Sequence, residues 1–184
     1  PGIDPHTHKK ISTGSVESKF GIAIETGQAF KAVGEILKCE NINLCGFHCH
    51  VGSQIFDIEP FRDAADIMLK FIRDMQDMCG YTAEILNLGG GFGVRYTEDD
   101  PEIDYEANIR ELALEVKTMC EKLNIKCPHI HMEPGRSIVA DSGMTLYTAG
   151  TVKRIPGYKN YVSVDGGMTD NPRFALYGSS YTVL

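Results

Sequence analysis

Three stretches of this sequence combine glycine with polar side chains, and each follows a short apolar run. They are residues 50–54 (HVGSQ), 89–93 (GGGFG) and 133–136 (EPGR). Glycine lets another group approach the backbone closely, and consecutive glycines expose N–H groups that suit an anion such as phosphate. The glycine run alone is also compatible with a tight strand-to-helix turn that binds nothing. The other two stretches must therefore decide whether a binding site is present.

Together the three stretches offer the groups that would hold a phosphorylated, planar cofactor. The phosphate donors would be the Ser53 hydroxyl, the backbone N–H groups of Gly90, Gly91 and Gly135, and the Arg136 guanidinium. Glu133 is a carboxylate among these donors, which is costly unless a cation such as a protonated ring nitrogen faces it. His50 has a flat ring that could stack on the cofactor. This combination is typical of a pyridoxal 5'-phosphate site, in which the ring accepts electrons from a carbanion.

Two other interpretations of these residues stay open. Glu133 could pair with Arg136 as a structural ion pair. All six histidines fall in H-x-H pairs, and residues two apart on a strand share a face, so such pairs could bind zinc in a metal hydrolase. The pairs are His6/His8, His48/His50 and His129/His131. Acidic ligands that would complete a zinc site are not evident, so we predict no metal and interpret the strand histidines as hydrogen-bonded.

Helices and strands alternate around the three stretches. Apolar residues at steps of 3 and 4 predict helices over about 22–39, between Asp57 and Gly80, and over about 103–123. Asp57 is expected to cap the second helix, with Pro60 in its first turn and Gly80 at its end. Apolar runs at 42–49, 83–88 and 129–132 are predicted strands. This alternation predicts a parallel sheet, and sites in such sheets lie at the carboxyl ends of the strands.

The pattern changes after about residue 142. Residues 144–155 and 161–165 are strand-like, with turns at 156–157 and 166–167 and no helix between them. A complete barrel takes about 250 residues. The predicted fold class is therefore α/β: the C-terminal half of a (β/α)8 TIM-type barrel in residues 1–142, then the beginning of a β-rich domain in 143–184. Residues 1–20 read as a long loop. The chain starts without Met and stops within strand-like residues 181–184, so we expect a fragment of something longer.

Composition limits the possible partners and compartment. The 184 residues are 42% hydrophobic and 23% charged, with a net charge of −7. The negative charge disfavours nucleic acid and anionic membrane, and no apolar run approaches the roughly 20 residues of a membrane span. The six cysteines form no CxxC pair. We interpret them as reduced, mostly buried thiols of a cytoplasmic protein.

At the level of whole motifs, the chain closely resembles the diaminopimelate decarboxylases, pyridoxal phosphate enzymes of the alanine-racemase-like fold group. The resemblance covers the whole chain. The matching blocks are residues 12–14, 18–21, 46–54 (GFHCHVGSQ), 88–93 (LGGGFG), 133–136 (EPGR), 164–171 (VDGGMTDN), Arg173 and 175–178 (ALYG). Blocks of this length in this order are highly specific.

The resemblance implies an activity and an architecture. The family removes CO2 from meso-2,6-diaminopimelate to give L-lysine, the last step of lysine biosynthesis. Its members have a (β/α)8 barrel followed by a β domain and work as homodimers.

The resemblance also implies roles for individual residues. His50 would stack on the cofactor ring, and Glu133 would face the pyridine nitrogen. The phosphate site would be formed by Ser53, Gly90, Gly91 and the turn Glu133, Pro134, Gly135 and Arg136. The substrate's distal carboxylate would be held by Arg136, Arg173 and Tyr177, which suits the two-pronged binding of carboxylates by arginine.

Two parts of the family's site have no match here. The Schiff-base lysine belongs to an earlier strand, and the partner subunit's cysteine belongs to a later block, so the chain alone is expected to be inactive. Two alternatives therefore remain. One is a related decarboxylase acting on ornithine, arginine or carboxynorspermidine, which Asp170 leaves possible although Arg173 and Tyr177 favour a distal carboxylate. The other is a truncated, non-catalytic homologue.

Overall fold

The computed structural model describes residue 2 and residues 18–183. The predicted loop before residue 18, the motif at 12–14 and the His6/His8 pair lie outside these residues.

A three-stranded parallel sheet organises the first two-thirds of the chain. Its strands are β1 (Gly46–His48), β2 (Ile85–Asn87) and β3 (His129–His131), in the order β1-β2-β3. All three predicted strands are confirmed, although each is shorter than predicted. The register places His48 beside Asn87 and Asn87 beside His131, at the carboxyl ends of the strands. The three glycine-bearing stretches therefore begin at the same edge of the sheet.

Three helices accompany the sheet. They are α1 (Gln28–Ile36), α2 (Glu59–Cys79) and α3 (Tyr105–Leu123). The predictions for α2 and α3 are confirmed, including Pro60 in the first turn of α2 and a left-handed Gly80 at its end. The predicted Asp57 cap is off by one residue, because Ile58 occupies the cap position, and the Ile58 side chain makes no cap hydrogen bond. Helix α1 starts later than residue 22 because Gly27 adopts φ 77°, which a helix cannot continue through.

The core lies between the sheet and helices α2 and α3. Phe61 and Leu69 of α2 are fully buried with Leu86 of β2, and Val116 of α3 joins the same cluster. The rings of Phe61 and Phe92 stack with centroids 4.4 Å apart, which ties α2 to residues 89–93, the glycine loop that follows β2. The apolar face predicted for α2 therefore holds the helix against the strand ends.

The C-terminal part of the chain differs from the prediction in three ways. A short helix α4 (Arg136–Val139) follows β3 directly, and another, α5 (Arg173–Tyr177), follows the antiparallel hairpin of β4 (Ala149–Ile155) and β5 (Lys159–Val164). Residues 181–183, expected to be strand-like, have no regular structure. Helices of four or five residues are too short to show a helical period, which explains why sequence periodicity missed them.

The six cysteines are all free thiols, but only Cys49 and Cys120 are buried. The prediction of mostly buried thiols is therefore wrong. No helix within the described part of the chain is long and apolar enough to cross a membrane.

The glycine loop is wedged between the loops that follow β1 and β3. A Cβ atom added to Gly90 would lie 2.0 Å from the Glu133 carbonyl oxygen, and one added to Gly91 would lie 2.1 Å from that of Gly52. Gly91 also has φ 109°, which side-chain-bearing residues rarely adopt. The backbone of Glu133 donates to the Gly89 carbonyl at 2.8 Å. Glycine is needed here because neighbouring backbone occupies the space of a side chain.

We expect Gly90→Ala to destabilise the fold, because the added methyl group meets rigid backbone. Overpacking of this kind costs about 3 kcal/mol, or roughly 10 °C in Tm. Gly34→Ala is the matched control, since an added Cβ there meets nothing within 4 Å in the middle of α1. Alanine stabilises a helix interior by about 0.5–1 kcal/mol over glycine. Thermal denaturation of the two variants tests this, and equal Tm values would contradict it.

Candidate functional site

Arg136 connects two of the predicted phosphate-binding stretches. It is the first residue of α4, and its Nη2 donates to the Ser53 hydroxyl at 3.2 Å. Its Nη1 donates to the Tyr96 hydroxyl at 2.8 Å, and its guanidinium carbon lies 5.8 Å from the centroid of that ring. Its Nε is buried and finds no hydrogen-bond partner among the described residues. The structure thus gathers a fixed cation, a hydroxyl and an unsatisfied donor, which suit an anion.

Tyr96 is a site residue that the sequence reasoning missed. It lies just beyond the glycine loop, where its ring covers Arg136 and its hydroxyl accepts a hydrogen bond from the guanidinium. The contact joins residues 40 positions apart. No local pattern marks such a tyrosine, so only the folded structure identifies it.

Glu133 faces away from Arg136. Its Oε1 accepts a hydrogen bond from Asn87 Nδ2 at 2.8 Å, and its Oε2 lies 3.7 Å from His48 Nε2. Among the described residues Glu133 and Arg136 form no ion pair, so the structural-pair interpretation is wrong. The Glu133 side chain is 61% exposed. The carboxylate is therefore both oriented and accessible to a ligand.

His50 lies in the loop after β1, against the glycine loop. Its Nδ1 accepts a long hydrogen bond from the Gly90 N–H, at 3.4 Å. Burial lowers the pKa of His50 below the ordinary 6.5, nearby His48 lowers it further, and Glu133 opposes both. The Gly90 N–H, predicted as a phosphate donor, faces this imidazole in the structure. His50 consequently presents a neutral ring at pH 7.

Arg173 and Tyr177, the remaining predicted substrate residues, lie at the two ends of α5. The Arg173 guanidinium carbon is 5.7 Å from the centroid of the Tyr177 ring. Arg173 also lines a polar cleft of about 270 Å³ together with Tyr96 and Tyr181. Tyr96 thus contacts Arg136 and lines the same cleft as Arg173.

The described residues fit pyridoxal phosphate. The unsatisfied Arg136 Nε and the Ser53 hydroxyl suit its phosphate, and Pro134 and Gly135 bring Arg136 to the start of α4 directly after Glu133. The oriented Glu133 carboxylate suits a ring cation. In residues 2 and 18–183, no three His, Cys, Asp or Glu side chains are grouped so that they could share a metal ion.

We expect His50 to titrate below pH 6.5 in the folded protein. Because its folded pKa is depressed, the unfolded chain binds the proton more readily, and the stability that the neutral form provides is lost as pH falls below 6.5. NMR titration of the imidazole, with the denatured chain as reference, measures this. A folded-state midpoint equal to or above that of the denatured chain would contradict it.

Comparison with known proteins identifies similar chains. The diaminopimelate decarboxylase of Bacillus subtilis (strain 168) is 45% identical over 181 residues, which are 98% of this chain and 41% of the relative. That of Staphylococcus aureus (strain COL) is 44% identical over 184 residues, covering 100% of this chain and 43% of the relative. The chain thus spans about two-fifths of the length of these curated relatives.

Solved structures agree with these relatives. The crystal structure of diaminopimelate decarboxylase from M. jannaschii in co-complex with L-lysine superposes with a TM-score of 0.81 at 36% identity. The superposition covers 99% of this chain and 41% of that one.

A family model identifies the cofactor class. Residues 1–140 match the model described as "Pyridoxal-dependent decarboxylase, pyridoxal binding domain", which is more than half of the chain. The cofactor of this family, pyridoxal phosphate, is the one that the donor set fits. By this match, the chain belongs to the pyridoxal-dependent decarboxylases.

Proposed function

We propose that this chain forms part of a pyridoxal-phosphate-dependent carboxy-lyase that converts meso-2,6-diaminopimelate to L-lysine and CO2, the last step of lysine biosynthesis. The observation that carries the proposal is the placement of the oriented Glu133 carboxylate beside the Ser53–Arg136 anion site, with the Arg173 cleft next to it. Curated diaminopimelate decarboxylases that are 40–46% identical over nearly the whole chain support the choice of substrate.

Different residues of this chain bind the phosphate of the cofactor and orient its ring. Pyridoxal phosphate, when bound, supplies an electron-accepting ring that takes up the electron pair left by the departing carboxylate. Ser53, Gly91 and Arg136 would bind its phosphate, and Glu133 would accept a hydrogen bond from the protonated ring nitrogen. The neutral His50 ring would stack on the cofactor.

The distal end of the substrate is held by charge. Arg173 supplies a guanidinium in a polar cleft, Tyr177 supports it through ring contact, and Arg136 is bonded to Tyr96, which lines the same cleft. A fork of two donors binds a carboxylate with a defined orientation. This pins one carboxylate of the substrate so that the other is the one removed.

The sheet is part of a (β/α)8 barrel in this proposal. Strand β1 pairs only with β2 among the described strands, and a cavity of about 810 Å³ lies between β1 and α1. Apolar residues such as Val33 and Phe47 line it, which suits a further parallel strand. Residues 1–142 then form the C-terminal part of the barrel, and 143–184 begin the β domain.

The intact enzyme is a cytoplasmic homodimer in this proposal. The free thiols suit a reducing compartment. The homodimer is implied by the resemblance to the diaminopimelate decarboxylases. Light scattering of the cofactor-loaded protein measures the oligomeric state, and a monomer at working concentration would contradict this part of the proposal.

We expect Glu133→Ala to lower turnover by at least about 100-fold, since removing a preorganised electrostatic partner costs this much. Cofactor affinity should fall far less, because the phosphate contacts remain. CO2 release from meso-2,6-diaminopimelate by the intact protein and equilibrium binding of pyridoxal phosphate measure the two effects. Unchanged turnover would overturn the proposal, and cofactor binding without any CO2 release by the wild type would favour a non-catalytic homologue.

We expect Arg173→Ala to raise KM for diaminopimelate by about 10- to 100-fold, the effect of losing a contact to a charged group. Arg110→Ala is the matched control, because Arg110 lies on the exposed face of α3 and, within the described part of the chain, pairs with Glu106 alone. An unchanged KM in Arg173→Ala would remove the substrate role. Faster CO2 release from ornithine than from diaminopimelate would instead assign the related decarboxylase activity.

A further inference from the structure

We infer that Asn87 is a positioning residue for this site: its side-chain amide holds the Glu133 carboxylate in the orientation that binds the cofactor ring. The inference rests on the proposed function, because it concerns the residue that would meet the ring nitrogen. Asn87 is the last residue of β2 and lies in register with His48 and His131.

Three hydrogen bonds form a closed ring around Glu133. Asn87 Nδ2 donates to Glu133 Oε1 at 2.8 Å, the Glu133 N–H donates to the Gly89 carbonyl at 2.8 Å, and the Gly89 N–H donates to Asn87 Oδ1 at 2.8 Å. The backbone and the side chain of Glu133 are thus fixed to the same two neighbours. A shift of one of these three residues strains the other two.

The direction of the Asn87 amide is determined by its partners. A backbone N–H can only donate, so Gly89 requires the amide oxygen, and the NH2 group is left for the carboxylate. In the flipped amide, the NH2 group would face the Gly89 N–H, donor against donor, and the amide oxygen would face the Glu133 carboxylate, acceptor against acceptor. Asn87 must therefore be a donor to Glu133.

Without this donor the Glu133 carboxylate would be poorly held. Its side chain is 61% exposed, and the other partner recorded for it among residues 18–183, His48 Nε2, lies 3.7 Å away, beyond hydrogen-bond distance. A mobile, long side chain loses rotamer entropy when a ligand fixes it. The hydrogen bond from Asn87 restricts the Glu133 rotamer when the protein folds, so the carboxylate is already in place when the cofactor binds.

Asn87→Asp isolates this contact. The variant keeps the side-chain shape and the oxygen that accepts from the Gly89 N–H, and only the group facing Glu133 changes from donor to acceptor. Two adjacent carboxylates resist joint ionisation. When the pair holds one proton, the substituted acid can donate to Glu133 as the amide does; when both are ionised, they repel and Glu133 is displaced.

The test is the dissociation constant of pyridoxal phosphate across pH, expressed as the ratio of variant to wild type. For Asn87→Asp we expect a ratio near 1 at low pH that rises to about 10 at high pH. For Asn87→Ala, which has no acid to titrate, we expect weaker binding with a ratio independent of pH. The other titratable groups near Glu133 are His48 and His50. Both are present in every protein compared, and the double variant below, which carries the same Asn87→Asp substitution, controls for the effect of the new carboxylate on them.

Two further results complete the test. The double variant Asn87→Asp with Glu133→Gln restores one donor and one acceptor, so its ratio to the single variant Glu133→Gln should be independent of pH. A flat ratio for Asn87→Asp while the wild type binds pyridoxal phosphate would overturn the inference and leave the proposed function standing. Failure of the wild type to bind the cofactor at all would overturn both.

Discussion

Direct contact between the backbones of three loops is the constraint on which this site depends. The glycine loop after β2 lies against the carbonyl groups of Gly52 and Glu133, at distances that leave no room for a side chain. The contact brings the loop after β1 and the turn after β3 to the same place. In this arrangement Ser53 meets Arg136, and His50 meets the Gly90 N–H. Glycine in this loop therefore serves the assembly of the site, and any ligand contact comes in addition.

The site keeps opposite charges separate although they are close in sequence. Glu133 and Arg136 are three residues apart, yet each has its own partners on a different side of the turn. Asn87 holds the carboxylate, while Ser53 and Tyr96 hold the guanidinium. A direct ion pair would neutralise both groups. Kept apart, they can meet the two differently charged ends of one ligand, which is what a cofactor with a phosphate and a ring cation presents.

Tyr96 contacts Arg136 and also borders the cleft that contains Arg173. Its hydroxyl and ring contact Arg136, its carbonyl oxygen accepts a hydrogen bond from the Thr182 hydroxyl at 3.3 Å, and its side chain borders the cleft that contains Arg173. The segment around α5 is thus attached to the loop beyond the glycines.

The features that sequence alone predicted are those with a local cause. Helix α2 follows from apolar residues at steps of 3 and 4, and its end follows from Gly80, whose left-handed conformation a helix cannot continue through. The ends of β1, β2 and β3 follow from apolar runs that stop at glycine-bearing loops. The family could be recognised because its motifs are contiguous. These signals depend only on neighbouring residues, so they can be read without the fold.

The tertiary structure decided what joins residues distant in sequence. The partner of Glu133 is 46 positions away and that of Ser53 is 83 positions away, so neither could be chosen from spacing. The structure replaced the possible Glu133–Arg136 pair with separate partners, identified Tyr96, and showed that the glycines meet neighbouring backbone. Sequence supplied the types of the functional groups, because chemistry belongs to side chains. Only the packing of the folded chain decides which of these groups become hydrogen-bond partners, because hydrogen bonds depend on distance in space.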